Sequence, residues 1–157
     1  MPDMLRATAM SPHLVDQAWP VAQHLYAGLT LDQWRRAVSH PDSVRCSCPD
    51  AEPVPLRTLM AVCDRGYIYG IARYAVGECE RDGVALMVDA AVAVSLVGSR
   101  RPAEVLFDGL TAEAEAAGCD VVRIRIPGTR TWVVGGLAPE RREAALASFM
   151  NCTAVAL

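Results

Sequence analysis

Asp89 interrupts the apolar run at residues 84–94. A carboxylate set in such a strand is a candidate general base, because it is held partly out of water yet can take a proton from a reacting group. The competing reading is an acid on the wetter face of a half-buried strand. Glu78 and Glu80, in the polar stretch before that run, are lesser candidates and are most simply solvated. Cys46 and Cys48 lie close to His40, Asp42 and Asp50. Structural zinc takes four nitrogen or sulfur ligands in spaced pairs, and one Cys-x-Cys pair does not supply them, so no metal is expected. His13 and His24 read as surface or partly packed histidines on a first helix. Gly135-Gly136 reads as a turn before Pro139 and not as a phosphate loop. No serine or cysteine stands in a recognisable catalytic order with histidine.

The elements that must position these residues follow from periodicity. Residues 4–9 read as a short strand. Ser11-Pro12 has the N-cap and first-turn chemistry of a helix start, and Pro20 kinks or restarts that helix. Thr30-x-x-Gln33 is a capping box, after which Leu31, Trp34 and Val38 share one helix face. Four prolines make residues 39–57 a long loop, of the kind that is usually functional. Residues 58–63, 67–76 and 84–94 are strands joined by short links, so they form an antiparallel meander. Ala103, Leu106, Phe107, Leu110, Ala114 and Ala117 fall at helical spacing, and Gly118 stops the helix. Val122, Ile124 and Ile126 then alternate with Arg123 and Arg125 as a strand. Strand, helix and strand make a crossover, which sets strands 84–94 and 121–126 parallel. Residues 128–137 fit either strand or helix. Pro139 opens a last helix reaching about Met150, and residues 152–157 form a possible edge strand.

The whole chain bounds the answer. Its 157 residues fit one domain, 1–157, and 52% of them are hydrophobic, which predicts a packed core. The net charge of -3 argues against a nucleic-acid partner. Every side-chain cation other than histidine is an arginine. No apolar stretch has the length of a signal peptide or a membrane span, so a cytoplasmic protein with reduced thiols is expected.

The ordered set of elements resembles the GNAT superfamily of acetyl-CoA-dependent N-acetyltransferases. Arg6-Ala7-Thr8 is similar to its first strand, and residues 64–73, Asp-Arg-Gly-Tyr-Ile-Tyr-Gly-Ile-Ala-Arg, to its second hairpin. Ala85-Leu86-Met87-Val88-Asp89 with Val92-Ala93-Val94 is similar to its fourth strand. Residues 106–119 and 121–126 are similar to its third helix and fifth strand. The resemblance covers residues 4–126. It implies an α/β fold with a central twisted mixed sheet flanked by helices, in which the family's strands 4 and 5 are parallel and splayed. It also implies acetyl transfer from acetyl-CoA to an amine of a small molecule or peptide by direct attack. The pantetheine arm would pair with strand 4 at Val92, Ala93 and Val94. The pyrophosphate would sit on the loop Gly98-Ser99-Arg100-Arg101 and at Ala103, where a helix N-terminus favours an anion. Asp89 would then be the base.

Two positions depart from the family pattern. The loop motif Arg/Gln-x-x-Gly-x-Gly/Ala meets Gly98-Ser99-Arg100-Arg101-Pro102-Ala103 here. In one register Arg101 takes the first glycine's place; in the other, Pro102 and Glu104 take both. Arg100 and Arg101 compensate with charge-assisted bonds. The tyrosine acid of the last helix has no counterpart after residue 74, and Ser148 is the hydroxyl in that region. The alternative reading is a catalytically impaired GNAT-like module that binds an acyl-CoA or a protein partner. The short C-terminal segment leaves an incomplete sheet edge, which invites a homodimer. Trp19, Trp34, Tyr67 and Tyr69 are candidates for an acceptor pocket, with core packing as the default for the tryptophans.

Overall fold

The fold comes from a computed structural model, which describes residues 4–45, 52–79, 83–95, 99–127, 129 and 131–156. The strands are β1 (Leu5–Ala9), β2 (Ser43–Val44), β3 (Val54–Pro55), β4 (Arg57–Cys63), β5 (Ile68–Cys79), β6 (Gly83–Ser95), β7 (Val121–Arg125), β8 (Trp132–Gly136) and β9 (Ala154–Ala156). The helices are α1 (Trp19–Ala22), α2 (Leu31–Ser39), α3 (Arg101–Ala116) and α4 (Arg142–Thr153). The main sheet has the order β1-β4-β5-β6-β7-β8, and β9 joins it on β6. The first strands pair antiparallel. After the α3 crossover, β7 lies parallel to β6 from Ala85↔Val121 to Val88↔Ile124. The meander and the parallel crossover are therefore as expected.

Alternation assigns the two faces. Leu59, Ala61, Ala72, Tyr74, Leu86 and Val88 point to α3 and α4, meeting Leu106, Phe107, Leu110, Leu146 and Phe149. Met60, Val62 and Ile71 point the other way, to Val15, Ala18, Val21, Ala22 and Trp34. In β6 the alternation breaks. Leu86 and Val88 face α3, but further along it is Ala91 and Ala93 that do so, while Val92 and Val94 face Trp34. One residue has been inserted. Arg73 pairs with Ala90 and Tyr74 with Val88, so Asp89 has no partner on β5. This is a β-bulge, which bends a strand and re-aims a side chain.

Local chemistry accounts for most of the other elements. The Thr30 capping box is formed in both directions: Gln33 N–H donates to Thr30 Oγ1 at 3.2 Å and Thr30 N–H to Gln33 Oε1 at 2.9 Å. Trp34 is fully buried and its indole N–H donates to the Val15 carbonyl at 2.8 Å. Gly66 and Gly118 take φ of 84° and 73°, which suits glycine at a hairpin turn and a helix stop. The helix expected from Ser11 is only a 3-10 turn at Pro12–Leu14, the restart expected at Pro20 is the one-turn α1, and the Ser11 side chain makes no cap. Pro20, which has no N–H to bond back to Asp16, interrupts the segment between the two turns. The long loop carries the small β2–β3 sheet. Residues 46–51, with Cys46 and Cys48, lie outside the described residues, as do Glu80 and Gly98.

The C-terminal half differs from the expected order. Residues 132–136 form β8, antiparallel to β7, so α4 begins after a hairpin. The closing segment forms a strand with one neighbour, as an edge strand does. β9 lies parallel to β6, with Ala154 opposite Ala93 and Ala156 opposite Ser95. Among the described residues no helix is long and apolar enough to cross a membrane.

Gly109 of α3 lets that helix lie close to β1 and β4. A Cβ there would stand 2.5 Å from Ala7 Cβ and 2.9 Å from Leu59 Cδ2. Glycine to alanine inside a helix ordinarily gains about 1 kcal/mol. Here overpacking reverses the sign, and Gly109→Ala is expected to lower stability by about 1–3 kcal/mol. Urea unfolding measures this; an unchanged or raised midpoint would refute the close approach.

Candidate functional site

The bulge at Asp89 coincides with the parting of β6 and β7. Their pairing ends at Val88↔Ile124, and β9 takes over only from Ala93. Between these points, residues 89–92 form a stretch of β6 edge facing a cleft of about 540 Å³. The cleft is floored by Val88, Ala90, Ala91 and Ile124 and walled by Tyr26 and by Asn151, Cys152 and Thr153 at the C-terminal end of α4.

Three side chains meet where the strands part. Tyr26 Oη donates a hydrogen bond of 2.6 Å to Asp89 Oδ2. Arg125 Nε lies 2.9 Å from Asp89 Oδ1, close enough for an ion pair but off the line of a hydrogen bond. The Asp89 side chain is only 14% exposed. Arg125 is itself steadied by the Trp132 ring, 4.6 Å from its guanidinium carbon, a cation–π contact from the next strand. Burial first, then the charge of Asp89, hold the Tyr26 hydroxyl well above the ordinary phenol range, so it stays protonated at neutral pH.

A second cleft, of about 950 Å³, adjoins this trio. Tyr26, Ala27, Asp89 and Arg125 line both clefts. The second is walled by α2, by the turn leading to β2 and by Arg73 of β5. Arg73 is 2% exposed, and its Nη2 donates to the Ala37 carbonyl at 3.1 Å.

The expected site residues distribute as follows. Asp89 lies at the junction of the two clefts. Val92, Ala93 and Val94 are buried core residues; the backbone edge at Ala93 and Val94 is paired with β9, which leaves residues 89–92 as the unpaired part of that edge. Ser99, Arg100, Arg101 and Ala103 stand at the start of α3. Ser99 Oγ accepts the Arg101 N–H at 3.2 Å, Pro102 has no N–H to give, and Ala103 is buried. Arg100 is ion-paired to Glu104 at 2.5 Å, with Arg101 at 3.9 Å. Ser148 lines neither cleft. Trp34 is core; Tyr67 is largely exposed and Tyr69 packs beside Trp34's cluster. Among the described residues no three metal-type ligands gather. Sequence reasoning missed Tyr26, Arg73 and Arg125. Arg125 was legible as the polar alternate of an apolar strand ending beside Asp89's strand; Tyr26 and Arg73 carried no local signal.

The fit to a coenzyme A group divides in two. Free backbone at residues 89–92 inside a cleft suits an extended amide-bearing arm, as a strand edge suits an added strand. The start of α3 suits phosphates less well, since its donors are partly spent and Glu104 answers its arginines.

No protein-family model matches the chain, and no curated protein matches it in sequence. Solved structures do. Aminoglycoside N-acetyltransferase AAC(6')-Iy, in complex with CoA, superposes with a TM-score of 0.59 at 11% identity, over 82% of this chain and 80% of that one. The aminoglycoside 6'-N-acetyltransferase AAC(6')-Ih of Acinetobacter baumannii gives 0.57 at 10% identity, over 93% and 89%. A GCN5-related glucosamine N-acetyltransferase region of a fungal multi-domain β-N-acetylglucosaminidase gives 0.58 at 13% identity, over 96% of this chain and 17% of that one. With its mixed sheet, its crossover α3 and its parallel strands parting at a bulge, the chain has the fold of the GNAT N-acetyltransferases.

Proposed function

We propose that the protein is an acyltransferase that moves an acetyl group from acetyl-CoA to an amine. The observation that carries this reading is the meeting of two clefts at Asp89: one lies along the free edge of β6 and the other is lined by α2, residues 42–45 and Arg73. A donor arm and an acceptor would each have a channel, with one carboxylate and one hydroxyl between them. Acetyl-CoA would supply the activated carbonyl. Residues 89–92 would hold its arm by backbone hydrogen bonds, and Arg100 and Arg101 are the nearest cations to its phosphates along the chain.

The roles of the protein groups follow from their bonds. One of roughly four lone-pair positions on Asp89 accepts a hydrogen bond, from Tyr26, so its carboxylate has capacity to take the proton that an attacking amine sheds. Tyr26 Oη holds the proton that a leaving thiolate requires. Asp89 then returns its proton to Tyr26 across their 2.6 Å bond. The net change is one C–N bond formed, one C–S bond broken and one proton moved from nitrogen to sulfur. Tyr26 thereby takes the acid role that sequence reasoning gave to Ser148. The aminoglycosides of the neighbouring structures are polycations, and the second cleft here carries four arginines against two aspartates. That balance does not support carrying their acceptor over.

A second reading, of a module that binds without turning over, is favoured by β9 lying on Ala93–Ser95 and by the occupied donors at the start of α3. The two readings separate by experiment. In a thiol-release assay with acetyl-CoA and a panel of amines, Asp89→Asn and Tyr26→Phe should each lower kcat by about 10²-fold or more. Unchanged rates in both would remove the trio from the mechanism. Tyr26 also leaves an activity-independent trace. Its raised pKa stabilises the fold fully below the unfolded value of about 10, and that stability is lost as pH rises toward the folded value. Tyr26→Phe should abolish that part of the alkaline loss, read by thermal melting from neutral pH to pH of about 11. Ending the chain after Thr153 should free the β6 edge and tighten acetyl-CoA binding about fivefold or more by calorimetry. Weaker binding would mean that β9 supports the site and does not cover it.

A further inference from the structure

Arg73 is a buried cation whose hydrogen-bonding capacity is only partly used. It sits on β5 at 2% exposure. Its Nη2 bonds to a neutral carbonyl, that of Ala37, its side chain also meets the Tyr26 hydroxyl that is bonded to Asp89, and its Nε has no hydrogen-bond partner. Among the described residues no carboxylate forms an ion pair with it. The nearest candidate, Asp89 on the adjacent strand, has one oxygen against Arg125 and the other bonded to Tyr26. A guanidinium taken out of water without a counter-charge is costly and is ordinarily paired. Arg73 lines the larger cleft, whose mouth adds the exposed Arg36 and Arg45, and the further acid there, Asp42, is exposed. The cleft therefore has a surplus of positive charge at its mouth and, at its base, a guanidinium with no direct ion pair among the described residues and an N–H to spare.

We propose that this cleft binds an oxyanion, a carboxylate or a phosphate, on Arg73, with Arg36 and Arg45 drawing it in. The guanidinium fork matches either group by paired hydrogen bonds. Placing that anion in the acceptor rests on the acyltransferase reading: the substrate is then an anionic amine, of the amino-acid or phosphorylated-amine kind, with its nitrogen toward Asp89 and its anion toward Arg73. A polycation is disfavoured by the same arginines.

The test has a binding arm and a transfer arm on the full chain. In calorimetry without acetyl-CoA, glutarate and inorganic phosphate serve as probes, and at least one should bind, more weakly as salt rises. Arg73→Met should weaken that binding by about tenfold or more while melting no lower than the unmutated protein, because it removes a buried charge that has no direct ion pair. Arg36→Ser with Arg45→Ser should weaken it about two- to fivefold with no change in melting, and decides the matter if Arg73→Met does not fold. In the transfer arm, kcat/KM for glutamate or phosphoethanolamine should exceed that for cadaverine by about tenfold; which of the two anions is preferred distinguishes carboxylate from phosphate. Failure of both probes to bind, binding indifferent to all three arginines, or a preference for cadaverine would overturn the proposal. If the anions bind through Arg73 but no amine is acetylated, the oxyanion site stands and the acyltransferase reading falls.

Discussion

One extra residue in β6 sets the geometry of everything around it. Because Asp89 has no partner on β5, the strand beyond it is turned over, so that Val92 and Val94 pack toward Trp34 while Leu86 and Val88 pack toward α3. The same insertion coincides with the end of pairing to β7 at Val88. A bulge bends its strand and increases its twist, and a parallel neighbour cannot follow. The opening between β6 and β7, the unpaired backbone at residues 89–92 and the inward aim of the Asp89 carboxylate are three results of a single register shift.

The opening is held by charge. Arg125 closes one side of it through Asp89 and rests against Trp132, while Tyr26 reaches in from the segment joining α1 and α2. Arg123 also lies over the Trp132 ring, at 5.4 Å, so two successive arginines of β7's polar face share one aromatic surface. Arginine suits this position better than lysine, because its planar, weakly hydrated cation stacks on a ring while still reaching a carboxylate. The chain has no lysine at all, and at this site the arginine has a structural use.

The sheet was readable from the sequence because β4, β5, β6, α3 and β7 each bury a face with a clean period. Thr30, Gly66 and Gly118 marked their boundaries by local chemistry alone. The bulge was not readable as such. Leu86, Val88, Val92 and Val94 all stand at even positions, and Ala90 and Ala91 are too small to betray which way they point, so the run looks like one straight strand. Asp89 was visible as a charge in an apolar stretch, but Tyr26 is 63 positions away from it and arrives only through tertiary packing. The first helix was over-read, since an apolar pattern on either side of Pro20 concealed two single turns. The last strand was legible as an edge strand, but not that its one neighbour is β6 beyond the point where β7 parts from it.

That last strand has a consequence in time. β9 is held to β6 by three residue pairs, and a contact so small opens locally at far lower cost than the fold as a whole. A molecule laid along β6 and extending past Val92 competes for backbone that β9 already occupies. Its capture then waits on the lifting of β9, so the observed association rate levels off at the opening rate and stops rising with concentration.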